Sequence, residues 1–302
     1  MPQPETTPAR ELVRRALLLG VGTAMLLPGC ASDAGLDHDG ADAPLAAPLT
    51  TVPRVAWVFG SGGPRGFVHV GVLKAMAELQ LKPDVIVGAS AGALVGTLFA
   101  AGIEAGAIER LALDLQPWQL LRWQPGGTQR WAADGLATWV NDRLDGRPLQ
   151  ALPITMVCAA QRLRDGAVIG FSRGNAGLAV QASAAIEGQL APLTIRRERY
   201  ADADQRMPLP VRLAHALGAT QVLAVDASAH EDRAPERASG YRDGDLRKRA
   251  LTRPDAQLAD VLLHPDFGYW VSLSREFRER AIAAGYQATL ADAARLRTLH
   301  TR

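Results

Sequence analysis

The chain has 302 residues, 48% of them hydrophobic, enough apolar material for the core of one large α/β domain or two small ones. Lys and Arg (33) nearly cancel Asp and Glu (31), and a formal net charge of +2 leaves no electrostatic footprint for nucleic acid. Two cysteines, Cys30 and Cys158, exclude a disulfide framework, so each needs its own explanation.

In chain order, the first element is a targeting segment. Arg10, Arg14 and Arg15 form a basic n-region, and Ala16 to Leu27 is an apolar run too short to span a bilayer. Leu27-Pro28-Gly29-Cys30 follows and resembles the lipobox of bacterial lipoproteins. That resemblance implies cleavage after residue 29, a lipid on Cys30 and an acylated new N-terminus. The expected location is then the bacterial cell envelope, with the domain facing the periplasm or exterior. Ala31 favours the outer over the inner membrane, and the surroundings of Arg14-Arg15 match the twin-arginine motif poorly. Residues 30–53 are rich in Ala, Asp and Pro without apolar period, and are expected to form a flexible tether. Residues 54–302 are expected to form the folded domain.

Val55 to Phe59 is a continuous apolar run stopped by glycines, as in a buried strand. Val68 to Leu79 has helical apolar spacing, Val85 to Val87 is a second strand, and Ala91 to Ala101 a nearly all-apolar helix. Ile154 to Ala160 and Gln221 to Asp226 read as further central strands, and Val211 to Leu217 as a helix ended by Gly218. Tyr269 to Leu299 is expected to be helical. Strand and helix alternating in this way imply parallel strands with right-handed crossovers, in one three-layer α/β/α domain with a mainly parallel central sheet.

Two loops after two strands carry the chemistry. Gly88-Ala89-Ser90-Ala91-Gly92 is G-x-S-x-G between a strand and a helix, the context of a nucleophile elbow with Ser90 exposed on a strained turn. Gly88 and Gly92 leave room for close backbone approach, and the helix adds a positive N-terminal end. A helix N-cap with small neighbours is the plainer alternative for Ser90. Gly60-Ser61-Gly62-Gly63-Pro64-Arg65-Gly66 stands between the first strand and helix. It lacks the spacing of a dinucleotide loop and the Gly-Lys-Ser/Thr of a Walker loop. An oxyanion hole, with N–H donors at Gly62 and Gly63, fits it better. Pro64 has no N–H and only shapes the turn, while Arg65 either pins the loop or adds charge.

Together these two loops resemble the patatin-like phospholipase family, which pairs G-G-G-x-R/K-G with G-x-S-x-G and adds Asp from a D-G-G/A motif. The matching stretches here are GSGGPRGFVHVGVLKAM and VIVGASAGALVGTLFAAG, followed by Phe171 to Gly174, Ala182 to Ile186, Pro192-Leu193 and Tyr200-Ala201-Asp202. Pro208 to Val211 and Gly218-Ala219 continue the match. The resemblance implies a patatin-like fold and a serine acyl hydrolase of phospholipase A or esterase type. It implies Ser90 as nucleophile, Asp202 as its base, and Gly62, Gly63 and Arg65 in the oxyanion loop. The implied partner is a lipid or ester substrate, with no metal and no organic cofactor, and the N-terminal lipid anchor adds a membrane. Four positions depart from the pattern. Asp202-Ala203-Asp204 lacks both glycines, so Ala203 is costly if that turn needs φ > 0, and Asp204 could perturb or replace Asp202. Ser61 replaces the first loop glycine, and Glu187 stands in place of Pro. These departures support the alternative: a catalytically degenerate lipoprotein that binds lipid or a partner without turnover.

The remaining candidates have structural readings. His230 or His264 could formally complete a Ser…Asp…His triad, and His69 reads as structural. No H-x-x-x-H, H-E-x-x-H or cysteine pair suggests a metal. Trp118, Trp123, Trp131 and Trp139 form either a lipid-facing rim or the core of a helical insertion. Cys158, in an apolar strand, reads as an inert thiol.

Overall fold

The computed structural model describes residues 37–120, 122–123 and 131–301. The signal segment and Cys30 therefore lie outside the described residues. The main sheet is built from β1 (Val55–Phe59), β2 (Val85–Ala89), β3 (Thr155–Arg162), β4 (Val168–Phe171), β5 (Leu193–Ile195), β6 (Glu198–Asp202), β7 (Gln221–Val225) and β8 (Val261–Leu263). Their order is β8-β7-β1-β2-β3-β6-β5, with β4 also paired to β3. The five strands from β8 to β3 are parallel, whereas β4, β6 and β5 join antiparallel. The sheet is mainly parallel, as expected, and its antiparallel end comes from short strands that no apolar run announces.

β1 and β2 are buried at every residue, which is what a strand covered on both faces requires. Alternate residues face different layers. Trp57, Phe59, Ile86, Met156 and Val225 join the larger core. Ala56, Val58, Val87, Val157 and Val222 join the smaller one. Helices α1 (Phe67–Glu78), α2 (Ala91–Ala100), α3 (Ala105–Asp114), α4 (Asp134–Arg143) and α5 (Ala176–Ser183) contribute to the first. So do α8 (Arg275–Ala291) and α9 (Ala293–Thr301), while α6 (Val211–Ala216) and α7 (Arg242–Ala256) contribute to the second. The expected tail helix begins only at Arg275, capped by the Ser274 side chain, and is broken at Asp292.

Residues 37–53 are not the flexible tether the composition suggests. His38 pairs with Ile195 and Leu45 with Arg173 through backbone hydrogen bonds, and Ala43 is buried. Ser172 Oγ donates to Ala47 O (2.7 Å) and accepts from Ala47 N–H (3.1 Å). Backbone groups of the strap thus find partners on the domain, which a polar composition does not forbid.

Candidate active site

Ser90 lies between β2 and α2 with φ +55° and ψ −121°, outside the regions that L-residues ordinarily occupy. Its neighbours explain how the strain is held. A Cβ on Gly88 would sit 2.6 Å from the Ala93 backbone, and one on Gly92 2.2 Å from Phe59 O. The Ser90 N–H donates to Ser183 Oγ (2.9 Å), whose hydroxyl donates to Ala159 O (2.6 Å). Ser183, at the end of α5, therefore ties the elbow to β3. The sequence matched the segment around it without assigning it this task.

Sheet register brings Asp202 to the same place. Ala89, just before Ser90, pairs with Ala159, and the next residue of β3, Ala160, pairs with Asp202. β6 thus takes up β3 where β2 ends. Asp202 is 2% exposed, and its Oδ1 accepts the Asp204 N–H (2.9 Å). Its Oδ2 completes no hydrogen bond of full geometry among the described residues. Burial pushes the carboxyl up to about 7, opposed by the nearby Ser90 hydroxyl and Asp204 N–H and by Lys248, and reinforced by the Asp204 charge.

The turn after Asp202 dispels the concern over its missing glycines. Asp202 has φ −56°, and no residue from Ala203 to Arg206 lies in the left-handed region. Ala203 is buried against Ala89 and Ala159. Asp204 is bonded to the Ser61 hydroxyl and to Lys248 Nζ (2.5 Å), away from the role of base.

The glycine loop faces the elbow. Gly60 N–H donates to Val225 O (3.0 Å) and Ser61 N–H to Pro208 O (2.7 Å). Among the described residues no acceptor takes the N–H of Gly62 or Gly63. Gly63 has φ +51°, a conformation that costs glycine little, and Gly66 is so close to Ala91 that a Cβ would approach its methyl to 2.3 Å. Of the two roles open to Arg65, its contacts are those of a pin. Its N–H donates to Gly62 O (3.0 Å), and its guanidinium reaches Gly268 O (3.4 Å) and Tyr269 O. His69 braces the loop from behind, donating from Nε2 to Gly60 O (2.8 Å), and burial pushes its pKa down to about 4.

Gly63, Gly66, Ser90 and Ala91 line a cavity of about 450 Å³ whose other walls are almost wholly apolar, including Leu94, Leu98, Ile108, Leu136 and Trp139. That size is ordinary for a small-molecule site. Arg278, 4% exposed at this cavity, donates to the carbonyls of Leu273, Ala112, Leu113 and Leu115 and closes the end of α3. Nothing in the spacing of the tail announced it.

Other candidates are placed elsewhere. His230 and His264 stack on each other with centroids 3.8 Å apart, and His264 Nε2 bonds Ser228 O (3.2 Å). Among the described residues neither is hydrogen-bonded to Ser90 or Asp202. Cys158 is buried, its thiol pushed up to about 12 by burial. The tryptophans divide: Trp118 is 74% exposed, whereas Trp139 is buried under the Arg143 guanidinium (3.6 Å). The side chains of Trp123 and Trp131 lie outside the described residues.

A family model described as patatin-like phospholipase matches residues 57–215, just over half of the chain and all of the constellation above except Lys248 and the tail. The chain belongs to the patatin-like phospholipase family. An NTE family protein of Mycobacterium tuberculosis is 32% identical over 182 residues, 59% of this patatin-like chain and 50% of the relative. The lysophospholipase NTE1 of Saccharomyces cerevisiae is 27% identical over 189 residues, 60% of this chain and 11% of that one. This patatin-like chain thus spans half the length or less of both relatives. The crystal structure of VipD from Legionella pneumophila superposes with a TM-score of 0.52 at 12% identity, over 88% of this chain and 71% of that one. That likeness establishes the fold.

Proposed function

We propose that this chain is a serine acyl hydrolase that cleaves lipid acyl esters, with Ser90 as nucleophile and Asp202 as its base. The observation that carries the reading is Ser90 on its strained turn, beside a buried Asp202, lining an apolar cavity of about 450 Å³. The cavity accepts an acyl chain and the junction of the two loops accepts its carbonyl. As Ser90 Oγ bonds to that carbon, its proton passes to the Asp202 carboxylate, and the oxyanion takes the free N–H groups of Gly62 and Gly63. Asp202 returns the proton to the leaving alcohol as the ester C–O bond breaks. Water then attacks the acyl-enzyme, giving one proton to Asp202, which passes it to Ser90 Oγ as the acyl C–O bond breaks and the acid departs. A base near pKa 7 is well matched to this transfer at neutral pH. The non-catalytic alternative drew on the missing glycines after Asp202, and a turn without positive φ removes that support. The reading also holds the enzyme on the envelope membrane by a lipid on Cys30, which the resemblance of Leu27-Pro28-Gly29-Cys30 to a lipobox supports.

The test is fluorophosphonate labelling of the full chain in bacterial cells, followed by fractionation. Labelling should vanish in Ser90→Ala and fall at least a hundredfold in rate in Asp202→Asn, a typical general-base contribution. It should move from the membrane to the soluble fraction in Cys30→Ala. A folded wild-type chain that takes no label defeats the hydrolase reading, and label that stays on the membrane without Cys30 defeats the anchor.

A further inference from the structure

A second group of polar side chains lies beside the site and is used by none of the steps above. Ser61, in the glycine loop, donates its hydroxyl to Asp204 Oδ1 in the turn after Asp202. Lys248, from α7, reaches both, with Nζ 2.5 Å from Asp204 Oδ1, 3.1 Å from Ser61 Oγ and 3.4 Å from Ser61 O. The ion pair is three-quarters buried, and Ser61 is 2% exposed. One ammonium thereby satisfies a hydroxyl, a carbonyl and a carboxylate drawn from two loops. Those loops hold the oxyanion donors and the base.

We propose that Lys248, with Ser61 and Asp204, is a positioning clamp that locks the oxyanion loop to the Asp202 turn and balances the charge beside Asp202. The proposal rests on the hydrolase reading for its catalytic consequence, but its geometry stands apart from it. Lys248 touches no reacting atom and acts through its neighbours. The groups that act electrostatically on Asp202 are Asp204 on its own turn, Lys248 on α7 and the Ser90 hydroxyl on the elbow. Asp204 disfavours the carboxylate and Lys248 favours it, so their effects oppose one another. Removing either alone leaves the other uncompensated.

The experiment compares wild type, Lys248→Met, Asp204→Asn, the double variant and Lys248→Arg, all as full chain. Two readouts are taken: the rate of fluorophosphonate labelling against pH, and the Asp202 carboxyl titration by 13C NMR, assigned with Asp202→Asn. Lys248→Met should move both midpoints to higher pH. A shift of about one unit would lower labelling at pH 6 roughly tenfold. Asp204→Asn should move them to lower pH, the double variant should return close to wild type, and Lys248→Arg should keep the wild-type midpoint. Shifts of the two single variants in the same direction, or lower rates with unmoved midpoints, would overturn the clamp. If wild type takes no label, the hydrolase reading falls, while the carboxyl titration still decides the clamp.

Discussion

At Asp202 the fold holds a carboxyl that resists ionisation. Its folded-state pKa of about 7 lies above the ordinary 3.8, so folding takes up a proton between those pH values. Stability from this group is therefore full below pH 3.8 and lost as pH rises to about 7. Asp202→Asn escapes that loss, so it should raise Tm at pH 8 by an amount equivalent to at most roughly 4 kcal/mol. The gain should shrink to nothing near pH 4, and thermal unfolding across that range checks it. A pH-independent gap would mean that Asp202 is not buried as described. Ser90 and Asp202 were legible as candidate residues in their motifs. The tolerance of Asp202-Ala203-Asp204 was not, because it depends on backbone angles that no motif states. Nor was it legible that Ser61 and Asp204, two separate departures from the glycine pattern, meet in one contact.

The elements most easily read from sequence were those buried on both faces. β1, β2 and α2 announce themselves by uninterrupted apolar or small residues, and the elbow follows from their junction. Ser183 joins that junction to β3, and its loss would strand the Ser90 N–H and the Ala159 carbonyl in a buried place. Ser183→Ala should accordingly destabilise the domain by about 1–3 kcal/mol and slow Ser90 labelling, as denaturant unfolding and probe kinetics would show. Unchanged stability would mean that water replaces the hydroxyl. The β5–β6 hairpin was hidden for a different reason. Its two turn residues, Arg196 and Arg197, have φ +50° and +65°, positions where Asn-Gly is the usual signal. The strap supplies the support that glycine would have made unnecessary: Arg196 N–H donates to His38 O (3.2 Å) and Arg197 N–H to Asp37 Oδ1 (3.1 Å). α7 was hidden as well, being polar and carrying Pro254 inside its last turn. It is held by charge, with Asp255 on Arg212 (2.8 Å), Lys248 on Asp204 and Arg249 on Glu231 (3.3 Å).

For the molecule as a whole, the three layers divide the work. The larger core side holds the cavity, the C-terminal ends of β1 and β2 present the two loops, and α7 braces the glycine loop and the turn after Asp202. The strap at residues 37–53 adds a consequence for how the chain survives unfolded or crowded. β5 is the last strand of its sheet, three residues long, and its outward backbone groups are a template for another chain to pair with. His38 already occupies that margin, taking the Arg196 N–H and donating to Thr194 O (3.0 Å). A chain begun at Arg54, the boundary that composition suggests, should melt at lower temperature than one begun at Asp37 and scatter light as it self-associates. Equal melting and equal monodispersity would show the strap to be dispensable. The residues that first look like slack in a tether should thus guard against aggregation, since His38 closes the open strand edge before a neighbouring molecule can.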